Sequence, residues 1–236
     1  MVISPKITSP TEPDSVIYPD SDGQPMADNT KQFEWIVLLK KNLDILFAED
    51  ANVFVAGDLL WYPLQGRNQR RTAPDVMVVF GRPKGDRGSY KQWEEDNIAP
   101  QVVFEILSPS NTIEEMERKL LFYDRYGVEE YYIYDPETGH FRGWLRGEEG
   151  LDGVEFETEW ISPRLQIRFD CSGDNLQVFY PSGQRFLSQT ELAAQLEQTS
   201  QQLEQTSQEL EQEKARSQRL AEKLRELGID PDTLER

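Results

Sequence analysis

Between residues 30 and 48, Phe33, Ile36, Val37, Leu39, Leu43, Leu46 and Phe47 recur at helical spacing. One apolar face on a 3.6-residue period predicts an amphipathic helix. The pattern then changes to short apolar runs bounded by polar turns. Residues 52–62 (NVFVAGDLLWY) predict a strand, followed by the Arg-rich turn LQGRNQRR, and 73–81 (APDVMVVFG) predict a second, Val-rich strand. A charged loop over 82–99 leads to QVVFEIL (101–107), which is apolar on both faces and so is expected to be central. SPSN opens a helix over 112–126 that Gly127 stops. EEYYIYD (129–135) and FRGWLR (141–146) predict paired strands across the turn PETG, and further strands are expected near 154–160, 165–170 and 175–180. This order predicts a mixed α/β domain over 30–188, a mixed sheet flanked by helices.

The ends of the chain read differently. Residues 1–29 are rich in Pro, Asp, Ser and Thr without periodicity, which predicts an extended arm. Residues 189–236 carry the heptads QLEQTSQ, QLEQTSQ and ELEQEKA. Leu196, Leu203, Leu210 and Leu224 share one heptad position, and Leu192, Leu220 and Leu227 share the partner position. Thr199, Thr206 and Glu213 interrupt that second row, so the tail predicts a long helix with a weak coiled-coil seam. Gly228 and Pro231 supply its stop signals, and self-association and a solitary solvated helix stand as equal alternatives.

Composition narrows the chemistry. The 236 residues contain one cysteine, Cys171, and one histidine, His140, which argues against a disulfide framework and against a zinc site. No apolar run approaches the roughly 20 residues that span a bilayer, and the N-terminus lacks the apolar core of a secretory signal. A cytoplasmic protein without a membrane partner is expected. The net charge of −18 opposes a broad phosphate-binding surface, so any nucleic-acid function must rest on a local basic patch, on metal ions, or on both.

Three ionisable residues depart from the apolar pattern. Asp75 opens the strand DVMVVF after Pro74, Glu105 interrupts QVVFEIL, and Lys119 lies on the helix that follows. A carboxylate in a central strand costs several kcal/mol unless it is paired, hydrogen-bonded or metal-bound. Two carboxylates converging from adjacent strands make a hard oxygen site suited to Mg²⁺ or Mn²⁺, which activates water for phosphodiester hydrolysis. A nearby lysine stabilises the charge that develops in the transition state. The plainer alternative is a structural Glu105–Lys119 ion pair, with Asp75 capping a turn.

The segments APDVMVV (73–79), QVVFEILSPSN (101–111), KLLFYDRYGVEEYYIYDP (119–136) and WISPRLQI (160–167) resemble the Uma-two endonuclease family, bacterial members of the PD-(D/E)XK restriction-endonuclease-like superfamily. The resemblance spans residues from about 30 to 180. It implies a metal-dependent phosphodiesterase core in which Asp75 and Glu105 hold the metal, with the backbone carbonyl of Ile106 as a further ligand. The superfamily's usual lysine position, two residues after the acid, is Leu107 here. The family pattern moves the lysine onto the next helix, which points to Lys119. Glu34 is placed where some superfamily members put an additional metal ligand, and Asp58 is a second candidate; a solvated helix residue and a turn residue are the respective alternatives. Tyr123 is a candidate phosphate contact or a core tyrosine.

For DNA as partner, the strand carrying Asp75 is flanked by loops with seven basic residues between Arg67 and Lys91, against Asp75 and Asp86. Arg82, Lys84 and Arg87 are the expected phosphate contacts, with Tyr90 and Trp93 nearby. The expectation is therefore a Mg²⁺- or Mn²⁺-dependent endodeoxyribonuclease, a homodimer through its C-terminal helix. The alternative is a catalytically inactive nuclease fold that serves as an interaction module.

Overall fold

A computed structural model describes residues 16–21, 23 and 27–228. The arm read over 1–29 and the stop at Pro231 lie largely outside these residues. The chain divides into two compact units, Met1–Phe186 and Leu187–Arg236.

In the first unit, helix α1 (Thr30–Leu46) precedes strands β1 (Val53–Gly57), β2 (Trp61–Tyr62), β3 (Val76–Phe80), β4 (Tyr90–Lys91) and β5 (Val102–Ile106). Helix α2 (Ile113–Arg125) follows, then β6 (Glu130–Tyr134), β7 (Phe141–Arg146), β8 (Leu151–Gly153), β9 (Glu159–Ile161), β10 (Arg168–Asp170) and β11 (Gln177–Phe179). The main sheet has six strands in the order β1-β3-β5-β6-β7-β8, β2 pairs with β4, and β9, β10 and β11 form a three-stranded antiparallel sheet. Only β5 and β6 run parallel in the main sheet, and α2 is their crossover. Strand β5 lies between β3 and β6 and is buried throughout, as its apolar character on both faces requires.

Strand alternation divides the core in two. On one face Val55, Val76, Val78, Phe104, Ile106 and Tyr132 pack with Ile36, Leu39 and Leu43 of α1 and with Phe169 and Val178 of the small sheet. On the other, Met77, Val79, Val103, Tyr131 and Ile133 pack with Tyr123 of α2 and with Trp61. Asp75 and Glu105 continue the odd-numbered set and so belong to the α2 face.

Two local signals shape the entry to that face. Residues 52–62 do not form one strand: Asp58 adopts a left-handed backbone (φ 47°), a conformation short polar side chains tolerate, and this turn separates β1 from β2. Helix α2 is capped by Thr112, whose side chain accepts the N–H of Glu115, and its first turn carries Glu114 and Glu115.

The second unit contains α3 (Gln189–Glu226), a 38-residue helix with no buried residue. Ser188 and Glu191 form a reciprocal capping box at its start. Among the described residues, no helix is long and apolar enough to cross a membrane.

Candidate active site

The site is built by register. Strand β3 pairs with β5 so that Val76 faces Phe104, which brings Asp75, one residue earlier, opposite Glu105, one residue later. The Asp75 carboxylate accepts the backbone N–H of Ile106 at 2.6 Å. On the other side, Asp58 donates its N–H to the Asp75 carbonyl at 3.1 Å, so the turn at Asp58 brings a third acid beside the pair. Asp75 is 8% exposed and Glu105 1%.

Helix α2 supplies the counter-groups. Lys119 and Tyr123 are one turn apart and meet the two oxygens of Glu105. Lys119 Nζ donates to Glu105 Oε2 at 2.7 Å, and the Tyr123 hydroxyl donates to Oε1. Tyr123 is fully buried, with the Thr72 side chain also bonded to its hydroxyl. The Tyr131 hydroxyl, from the neighbouring strand on the same face, is buried without a hydrogen-bond partner among the described residues.

Electrostatics follow from this crowding. Burial, then the neighbouring Glu105, push the Asp75 carboxyl well above the usual carboxylate range; Lys119 and the Ile106 N–H oppose the shift, and Asp58 adds to it. For Lys119, burial disfavours the charge, but Glu105 and Asp75 outweigh it and raise the ammonium above its ordinary value. Lys119 is therefore a cation at neutral pH.

A cavity of about 610 Å³ borders Asp75 and Lys119, with Glu105 behind them rather than on its wall. Asp28, Gln32, Asp58, Asp75, Asn111 and Lys119 are among its walls. Gln32 of α1 was not singled out by the sequence reading, although it sits on the same helical stripe as Ile36, Leu39 and Leu43. A polar residue on an apolar stripe is the signal that marks it. It is buried and donates to the Ile106 carbonyl at 2.9 Å. Asp28 accepts from Ser108 Oγ at 2.8 Å and also from Ser110, and these bonds hold its carboxyl below its ordinary range.

The donor set suits a divalent cation of the Mg²⁺ kind. It is all oxygen, with no His or Cys in the cavity. Its two opposed carboxylates share one lysine; burial first, and then the charge of Glu105, raise the Asp75 carboxyl. Among the described residues no three Asp, Glu, His or Cys side chains are gathered into a ready cage.

The remaining expected residues lie elsewhere. Glu34 is on the exposed face of α1 and does not line the cavity. Arg82 and Arg87 turn inward: both bond Glu95, at 2.8 and 2.6 Å, Arg82 also meets Asp96, and the Arg87 guanidinium lies 3.9 Å from the Phe54 ring centroid. Lys84 Nζ bonds the Ala48 carbonyl at 2.8 Å and also that of Phe47. The acids that neutralise the loop, Glu95 and Asp96, follow just after the basic stretch.

The six-stranded mixed sheet, with α1 packed on one face and α2 on the other, is a mixed α/β fold. Residues 18–178 match the Uma2 family, described as "putative restriction endonuclease", and the chain belongs to that family. It is also similar to a solved "putative nuclease belonging to DUF820" from Anabaena variabilis, with 15% identity and a TM-score of 0.43 over 57% of this chain and 72% of that one. No curated protein matches the chain.

Proposed function

We propose that the protein is a metal-dependent endonuclease that hydrolyses DNA phosphodiester bonds in the cytoplasm, with Asp75, Glu105 and Lys119 as its catalytic residues. The observation that carries this reading is a pair of buried, opposed carboxylates, Asp75 and Glu105, with Lys119 bonded to Glu105 and both Lys119 and Asp75 on the wall of a cavity. A structural reading accounts for the Glu105–Lys119 ion pair and for an acceptor at Asp75 that meets the Ile106 N–H, but not for placing a second carboxylate there opposite Glu105 at an electrostatic cost.

Asp75, Glu105 and the Ile106 carbonyl would hold Mg²⁺ or Mn²⁺, with Asp58 on the rim. When bound, such an ion activates water and neutralises phosphate charge. The chain's own groups set the rest. Tyr123 fixes one oxygen of Glu105, and the Ile106 N–H fixes Asp75, so both acids are oriented before a ligand arrives. Gln32 anchors the Ile106 carbonyl from α1. Lys119, a fifth exposed, sits at the boundary of buried acid and open cavity, where its remaining N–H donors can meet a phosphate oxygen or the attacking water.

Cutting both strands of a duplex is easiest with two sites related by a two-fold axis, so we take the active form to be a homodimer joined through α3. The exposed leucines of α3 also favour the second reading, an inactive fold that recruits a partner.

The deciding experiment titrates Mn²⁺ into wild type and E105Q by calorimetry and follows nicking of supercoiled DNA by the same samples. Binding and nicking in wild type, both lost in E105Q, support the nuclease. Absence of Mn²⁺ binding in wild type overturns it and leaves the interaction module.

A further inference from the structure

The arginines of this acidic chain fall into paired and unpaired groups. Arg82, Arg87, Arg146, Arg164 and Arg168 are all ion-paired. Arg70, Arg118 and Arg125 are exposed and have no carboxylate partner among the described residues, and they line one groove together with Arg71. The groove lies between the 69–72 loop and α2 and has a volume of about 490 Å³. The one acid among its described lining residues, Glu115, is held by the Asn111 amide at 3.1 Å.

The helix side of the groove is periodic. Arg118, Leu121, Phe122 and Arg125 fall at spacings of three, four and seven, which is one face of α2. Arg118 and Arg125 are seven residues apart, about 10.5 Å along the axis at ~1.5 Å per residue. That is about three nucleotide steps of a duplex strand at ~3.4 Å each. Between them lie Leu121, 68% exposed, and the partly exposed Phe122, an apolar ridge between two cations. Gln69, Arg71, Thr72, Glu115 and Lys119 also wall the cavity of Asp75, so the groove runs directly into the candidate site.

We infer that this groove, not the loop of Arg82 and Arg87, seats the sugar-phosphate backbone of DNA. Arg118 and Arg125 hold phosphates on one wall, Arg70 and Arg71 hold them on the other, and the strand is delivered to Lys119. The inference rests on the nuclease reading. Arginine suits the task because its guanidinium forks onto phosphate oxygens and stays charged. On the loop of Arg82 and Arg87 a phosphate would displace Glu95, whereas in the groove it meets arginines without a carboxylate partner among the described residues.

The test measures anisotropy of a fluorescein-labelled DNA duplex with full-length wild type, R118A/R125A, R70A and R82A/R87A across a salt series, alongside Mn²⁺ calorimetry and plasmid nicking. Each lost phosphate contact reduces the slope of log K against log salt by about 0.9. The expected result is a slope smaller by about 2 for R118A/R125A and by about 1 for R70A, with Mn²⁺ heats unchanged, and a wild-type slope for R82A/R87A. Wild-type slopes in R118A/R125A and R70A, with wild type still nicking DNA, overturn the groove and leave the nuclease standing. A wild type that neither binds the duplex nor nicks the plasmid overturns both.

Discussion

Asp75 and Ile106 are joined by a 2.6 Å hydrogen bond from backbone N–H to carboxylate, across the strand pair that carries both candidate metal-holding acids. The contact gives Asp75 a structural task besides any chemical one: it satisfies a buried donor at the end of β5, next to Glu105. The same side chain bears the unfavourable proximity of Glu105 and Asp58. Stability and chemistry therefore ask different things of it, and substitutions can separate them.

D75A removes the acceptor and leaves the Ile106 N–H buried and unpaired, which costs about 1–3 kcal/mol. D75N keeps an acceptor oxygen and removes the repulsion, so it should be at least as stable as wild type at neutral pH. Both should lose nicking. Urea unfolding beside the plasmid assay checks the pair; a D75N protein as unstable as D75A would show that the charge, not the hydrogen bond, is what the fold requires.

Lys119 and Glu105 should respond unequally to truncation. The Glu105 side chain is 2% exposed and the Lys119 side chain 20%. Losing the lysine strands a buried carboxylate, at about 3 kcal/mol, whereas a lysine without Glu105 can turn toward solvent. K119M should therefore be less stable than E105Q, although both should lose nicking. Denaturant midpoints in metal-free buffer decide it, and equal midpoints would mean that Tyr123 alone suffices to hold Glu105.

Glu130 gives a pH dependence away from the site. It is buried in β6 and accepts from Tyr132 at 2.9 Å, from the Arg164 N–H at 2.6 Å and from Ser162. Burial raises its carboxyl above the ordinary value despite these donors. In the window between the ordinary and the raised value, the folded chain binds more protons than the unfolded one, so this group's contribution is full below the window and falls as pH rises through it. E130Q should flatten that part of the stability curve, in thermal melts taken from acid to neutral pH. An E130Q curve parallel to wild type would remove Glu130 from the account.

The sequence exposes the two acids because each interrupts an apolar strand, and strand alternation alone puts both on the face that α2 covers. The place of Lys119 depends on how a helix returns across the sheet, which the resemblance implies and periodicity does not. Local patterning fails where partners come from a distance. Arg82 and Arg87 look like a free basic patch until Glu95 folds back onto them, and Arg118 and Arg125 look like ordinary helix arginines until the 69–72 loop lies opposite. The turn at Asp58 is hidden because NVFVAGDLLWY is apolar enough to pass for one strand. Gln32 has a local signal, a polar side chain on the apolar stripe of α1.

Helix α3 leaves its heptad leucines in solvent: Leu196, Leu203 and Leu210 are 70%, 71% and 55% exposed. The helix supports itself through its capping box and through Gln–Glu pairs four apart, such as Gln201 to Glu197 at 2.8 Å. The partner row is weak for a visible reason. Thr199 and Thr206 turn their hydroxyls back onto the carbonyls of Gln195 and Gln202, at 2.8 and 2.9 Å, where a coiled coil requires apolar knobs. If two copies pair through this row, T199L/T206L completes it and should tighten the dimer at least tenfold, about 1.4 kcal/mol. L203E places charge on the row of Leu196 and Leu210 and should yield monomers. Sedimentation equilibrium over a concentration series distinguishes the three proteins. A wild type that stays monomeric throughout, with T199L/T206L unchanged, would remove α3 as the assembly element and require two-strand cleavage to proceed by successive nicks.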